Sequence, residues 1–132
     1  MTEETVLIAR DGDVVTARQK GRELAMQAGF LGSDLTIIAT AISEIARNIV
    51  VYAERGEITF GIASDGHRRG LVVVATDNGP GIPDIEQAMQ DGFSTGKSLG
   101  LGLPGARRLM DEFDIVSEVG KGTTITMKKW VS

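Results

Sequence analysis

Leu71-Val72-Val73-Val74-Ala75-Thr76-Asp77-Asn78-Gly79-Pro80-Gly81 is the stretch whose reading decides the fold. Its first half is the most apolar strand of the chain, rich in β-branched Val, and its second half is a run of turn residues. Asp77 therefore stands where a buried strand emerges into a loop, a place that hosts ligands. Immediately upstream, Glu57 to Ala63 is another run of strand formers, and Ser64 to Gly70 between the two reads as the connection of an antiparallel hairpin. Further upstream the period changes to that of helices. Ser33 is placed to cap a helix through Leu35, Ile38, Ile42, Ile45 and Ile49 to about Ala53, closed by Gly56. Before it, Val14, Ala17, Gly21, Leu24, Ala25 and Ala28 recur at helical spacing and Gly29 ends the run. Thr5 to Arg10 reads as an edge strand, followed by turn chemistry at Asp11-Gly12-Asp13.

Downstream of the deciding stretch, Asp84 to Gln90 reads as a short helix and Leu101 to Phe113 as a longer one, with Pro104 in its first turn. Ile115 to Val119 and Thr123 to Val131 read as closing strands joined by Gly120-Lys121-Gly122. The expected fold is α+β: a two-layer α/β sandwich, its mixed, largely antiparallel sheet covered by helices on one face. With 132 residues, 42% of them hydrophobic, residues 1–132 fit one domain able to bury a continuous core.

Fourteen basic and eighteen acidic side chains give a net charge of -4, with no cluster of Lys and Arg among aromatics, so nucleic acid is not an expected partner. The absence of Cys excludes a disulfide framework and a thiolate metal site. Met1-Thr2-Glu3-Glu4 lacks the basic and apolar regions of a secretion signal, and uninterrupted apolar runs are short, so the expectation is a cytoplasmic protein without membrane attachment.

Glu44 and Asn48 are four residues apart in the second helix, hence neighbours on one face. A carboxylate there can take a proton from an attacking hydroxyl, and the Asn amide oxygen can complete a Mg²⁺ shell otherwise filled by phosphate oxygens and water. Ala41, Ile45 and Ile49 make much of that helix buried, and a Glu at the margin of a core needs a partner. The Asp77 carboxylate can accept from the exocyclic amine of adenine, while Gly79 and Gly81 let backbone approach a ring.

Gly92 to Gly102 is polar, glycine-rich and ends at a helix start, so it reads as a loop delivering a helix N-terminus to phosphate oxygens, with Ser94, Thr95 and Lys97 adding contacts on closure. Two lookalikes fail on context. Gly100 to Gly105 matches the dinucleotide fingerprint but follows no strand, and Gly92 is three residues before Gly96-Lys97-Ser98 where a P-loop needs four.

Glu44-Ile45-Ala46-Arg47-Asn48 resembles the N box, Asp77 to Gly81 the first glycine box, Gly100-Leu101-Gly102-Leu103 the second, and Gly120-Lys121-Gly122-Thr123 the third, of the gyrase, Hsp90, histidine kinase and MutL ATP-binding superfamily. The resemblance covers nearly the whole chain. It implies the Bergerat fold, ATP bound with adenine on Asp77, Mg²⁺ on Asn48, and a lid over Ser94 to Leu99. Within the superfamily, the stretches Ala41 to Asn48, Asp91 to Thr95 and Leu103 to Phe113 are very similar to the serine/threonine kinases of the bacterial stressosome. That resemblance implies transfer of phosphate to serine or threonine of STAS-domain partners, with Glu44 as general base. It also implies release of the kinase to activate an effector such as a PP2C-type phosphatase. An anti-sigma-factor kinase would share every box, and a nucleotide-gated binding module with little catalysis is the remaining alternative.

Several residues carry blander expectations. His67 reads as a solvated turn residue, Trp130 as core or edge packing, and Arg107 and Arg108 as a solvated helix face. Arg47 is open between a phosphate and a partner carboxylate. Tyr52 departs from the family, many members of which carry His after the N box.

Overall fold

The computed structural model describes residues 3–89 and 102–131. Five strands form one sheet: β1 (Glu3–Ile8), β2 (Gly56–Asp65), β3 (Arg68–Asp77), β4 (Glu112–Glu118) and β5 (Gly122–Trp130). Their spatial order is β1-β2-β3-β5-β4, so β5 inserts between β3 and β4. All four pairings are antiparallel, and the parallel component of the expected mixed sheet is absent among the described residues. The helices are α1 (Asp11–Ala28), α2 (Ser33–Asn48), the short α3 (Ile85–Ala88) and α4 (Gly102–Leu109). A π-helical turn, Ile49–Ala53, continues α2.

The two layers follow from alternation. Ile58, Phe60, Leu71, Val73, Ala75, Ile125 and Met127 turn to one face of the sheet and are buried. Ala17, Leu24, Ile38, Ile42 and Ile45 meet them from α1 and α2. The two long helices lie side by side, and α4 packs on α2. Gly21 permits the close approach of α1, since a Cβ there would strike the Ile42 Cδ1 methyl and come within 3.0 Å of Phe60. By length and composition the segment Ser33–Ala53 is apolar enough to cross a membrane, which short uninterrupted runs do not reveal. Here 56% of that segment's most apolar window is buried, the position of a core helix.

Element ends differ from the sequence reading where capping decides them. The first helix starts at Asp11 and absorbs the expected turn, because Asp13 Oδ2 accepts the Ala9 and Arg10 N–H groups at 2.9 and 3.2 Å. Gly29, at φ 111°, ends it as expected, its N–H donating to Ala25 O and Met26 O. Gly32, not Ser33, is the N-cap of α2, and the end near Ala53 is made by Glu54 at φ 70° while Gly56 already belongs to β2.

The hairpin has a two-residue turn, Gly66-His67, instead of the longer expected connection, since backbone pairing continues to Asp65 and Arg68 and their side chains form an ion pair at 2.9 Å. The last helix ends at Leu109, short of Phe113. Asp111 N–H donates to Lys128 O at 2.9 Å, and Phe113 joins β4. His67, Arg107 and Arg108 are exposed. Trp130 packs at the sheet end under the Arg68 guanidinium, 4.7 Å from the ring centroid, and its indole N–H donates to Glu112 at 2.6 Å.

Candidate nucleotide site

The sheet's inner face changes from apolar to polar in its last row. Gly56 pairs with Asp77, Asp77 with Thr123, and Thr123 with Ser117, so the four stand side by side across β2, β3, β5 and β4. Directly opposed residues share a face. The row behind them, Ile58, Ala75, Ile125 and Ile115, belongs to the core or packs against it. Asp77 and Thr123 are 9% and 5% exposed, polar groups at the rim of an apolar interior.

Glycine shapes this rim. At Gly56 a Cβ would lie 2.5 Å from Thr76 O and 3.0 Å from both Asp77 Cβ and Ile49 Cγ2. At Gly122, φ 128°, it would collide with the Asp77 carbonyl. The loop leaving β3 is seated on the π-helical turn, for a Cβ at Gly79 would be 2.6 Å from Ala53 Cβ and 3.1 Å from Asp77 Oδ1. On its other side the same loop is tied to the β4–β5 turn: Gly120 N–H donates to Pro80 O at 2.8 Å and Ile82 N–H to Ser117 Oγ at 2.7 Å. Gly81, φ 80°, lies against the Glu118 carbonyl, closer than any side chain allows.

Asp77 Oδ1 accepts the Gly79 N–H at 2.9 Å, an Asx turn that fixes the carboxylate. No described donor reaches Oδ2, and no described buried side-chain oxygen lacks a partner, so Oδ2 touches solvent and is available as an acceptor. That is the property adenine's exocyclic amine requires.

On α2, Glu44 is 5% exposed and Asn48 is half-buried one turn later. Arg47 Nη1 lies 3.9 Å from Glu44 Oε2, a carboxylate of its own helix. The Asn48 amide makes no hydrogen bond to a described residue and reaches solvent. Among the described residues no three His, Cys, Asp or Glu side chains form a metal cage, so Mg²⁺ at Asn48 would take its remaining ligands from phosphate and water.

The structure thus brings together Asp77, Gly79, Gly81 and Thr123, and joins their loop to the end of the helix that carries Glu44 and Asn48. Gly102, φ 69°, opens α4, and Leu103 buries its side chain in the core, leaving its backbone for a ligand. Ser94, Thr95, Lys97, Gly100 and Leu101 lie outside the described residues. Ser117 is the residue sequence reasoning missed. Its signal is a polar side chain at the inward position of the alternation Phe113, Ile115, Ser117.

The family model described as a histidine kinase-like ATPase domain matches residues 7–129. The serine/threonine-protein kinase RsbT of Bacillus subtilis (strain 168) is 51% identical over 126 residues, covering 96% of this chain and 95% of RsbT. An anti-sigma F factor of Geobacillus kaustophilus is 35% identical over 107 residues, covering 75% of this chain and 71% of that protein. Among solved structures the mycobacterial sensor histidine kinase MprB has the same fold, with a TM-score of 0.55 at 17% identity, covering 98% of this chain and 97% of that one. The chain belongs to the histidine kinase-like ATPase family, and within it to the group of which RsbT is a member.

Proposed function

We propose that this chain is an ATP-dependent serine/threonine protein kinase of a bacterial partner-switching pathway, acting in the cytoplasm on STAS-domain scaffold and antagonist proteins. On release from them it activates an effector such as a PP2C-type phosphatase. The observation that carries the reading is Glu44: a carboxylate only 5% exposed, one helical turn before the half-buried Asn48, on the helix whose π-helical continuation seats the Asp77 loop. Its support from relatives is the identity to RsbT over nearly the whole chain.

In this reading Asp77 Oδ2 and Thr123 receive the adenine, with Gly79 and Gly81 letting backbone approach the ring. Asn48 supplies one oxygen to Mg²⁺, and backbone amides at Gly100, Leu101, Gly102 and Leu103 receive phosphate oxygens at the start of α4. Ser94, Thr95 and Lys97 add phosphate contacts. Mg²⁺ held at Asn48 would neutralise charge on the phosphate oxygens. Glu44 accepts the proton of the incoming serine or threonine hydroxyl as that oxygen bonds to the γ-phosphorus. The bond from this phosphorus to the bridging oxygen breaks, and ADP carries the electron pair away. Arg47, beside Glu44, keeps the carboxylate oriented.

The test is to incubate the chain with γ-labelled ATP, Mg²⁺ and a STAS-domain protein. Label on a serine or threonine of that protein is the expected result, and none on either residue would end the reading. The likeness to an anti-sigma F factor supports one alternative, a kinase that also holds a sigma factor, and co-purification with a sigma factor would reveal it. A nucleotide-gated module with little catalysis would bind ATP and transfer nothing.

A further inference from the structure

Ser117 is a hub of three contacts at the rim of the sheet. Ile82 N–H donates to its Oγ at 2.7 Å, its hydroxyl donates to Gly122 O at 3.2 Å, and Thr123 Oγ1 lies 2.7 Å away. A serine hydroxyl has one proton and two lone pairs. The backbone N–H can only donate and the carbonyl can only accept, so Ile82 takes one serine lone pair, and the contact to Gly122 O is made only with the serine proton directed there. All three contacts are satisfied together only if Thr123 donates its proton to Ser117. Thr123 then faces its other neighbour in the row, Asp77, with lone pairs alone, and the Asp77 carboxylate is itself an acceptor.

We propose that Ser117 is a specificity-determining residue: by taking the Thr123 proton it makes the floor beside Asp77 accept only, so the site selects a purine with an amine at that edge over one with a carbonyl. The inference rests on the nucleotide reading of Asp77 given above. An adenine amine offers donors to both acceptors. A guanine carbonyl would bring a third acceptor against two, with no proton left in the row to meet it. Without the Ser117 hydroxyl the Thr123 hydroxyl is released and can turn to donate, which a carbonyl tolerates.

The experiment measures dissociation constants for ATP and GTP by calorimetry on the full chain and on S117A, S117T and D77N. In S117A the preference for ATP over GTP should fall roughly tenfold, the weight of about one hydrogen bond. S117T keeps the hydroxyl and should keep the preference. A merely structural role would weaken both nucleotides equally, and an unchanged ratio in S117A overturns the proposal. Where S117A does not fold, S117C has nearly the same shape with a weak hydrogen-bonding group and should relax the ratio in the same direction; an unchanged ratio there overturns the proposal equally. D77N separates the two levels. If it binds ATP as the parent does, the nucleotide reading itself fails; if it loses ATP while S117A keeps the parent ratio, only the role of Ser117 fails.

Discussion

Replacing Glu44 by Gln tests the chemistry with little disturbance of the fold, and the two effects can be sized separately. Gln has the shape of Glu, and its amide oxygen can still accept hydrogen bonds, so what is removed is the charge. The loss on the folding side includes the ion pair to Arg47, which at 3.9 Å is long and whose Arg side chain is 28% exposed. A pair partly in water is worth about 0–1 kcal/mol, and relief from burying a carboxylate offsets part of it. For a chain of this length that is a melting shift of at most about 4 °C. The loss on the catalytic side is the whole proton acceptor, about 10²- to 10⁴-fold in transfer rate, or about 2.7–5.5 kcal/mol of barrier.

The assay is single-turnover transfer from γ-labelled ATP to the acceptor protein at saturating nucleotide, alongside ATP affinity by calorimetry and a thermal melt by circular dichroism. The expected result is a rate lowered by at least a hundredfold, ATP affinity within about threefold, and a melt near the parent's. Glu44→Asp, one methylene shorter, keeps a base but withdraws it and should fall between. Parental transfer by E44Q would refute the general-base argument. Lost ATP binding with an intact melt would show that Glu44 serves the nucleotide and not the hydroxyl.

Three further perturbations probe the surroundings. Asn48→Ala should lower transfer more than tenfold and raise the Mg²⁺ concentration at half-maximal rate, while ADP affinity measured without Mg²⁺ stays at the parental value; an unaltered Mg²⁺ titration would remove Asn48 from the metal. Gly79→Ala places a Cβ 2.6 Å from Ala53 Cβ, so it should cost about 1–3 kcal/mol and weaken ATP about tenfold or more, and Ala53→Gly in the same chain should return part of both. Gly21→Ala gains about 1 kcal/mol in helix propensity but meets Ile42 and Phe60, for a net loss of about 1 kcal/mol; Ile42→Val, which alone should cost about 0.5–1.5 kcal/mol, should become neutral or favourable in that background by urea melts, with ATP affinity unmoved throughout.

What the sequence made legible is what period and punctuation encode. The strand Leu71 to Ala75 and the helix carrying Ile38, Ile42 and Ile45 announce two layers, and Gly29 announces a helix end that the structure makes with that residue. Two of the misread boundaries, at the hairpin and at the end of the last helix, share one cause: side-chain character says little about backbone pairing. Ser64 and Arg69 are polar and lie in a ladder, and Asp111, which looks helical after Leu109, is instead bonded to Lys128 across the sheet. The turn chemistry of Asp11-Gly12-Asp13 is likewise the chemistry of a helix start, and only the Asp13 contacts to Ala9 and Arg10 choose between them.

The site was half legible for a related reason. Asp77 and Thr123 are each marked locally by glycine, but that they are neighbours depends on β5 entering the sheet between β3 and β4, an order no local pattern contains. Once that order is set, the core fixes the site. Ile125 and Met127 must point inward to be buried, so by the two-residue period Thr123 points inward as well. Ile115 draws Ser117 to the same side of β4, and Leu71, Val73 and Ala75 do so for Asp77 on β3. A register slip of one residue in β5 would offer Thr124 the inner face, but it would also turn Ile125 and Met127 outward, at about 1.5–3 kcal/mol for each such side chain. The polar row is therefore held in register by apolar burial behind it, and the Ser117–Thr123 hydrogen bond has only to orient a hydroxyl whose position is already decided.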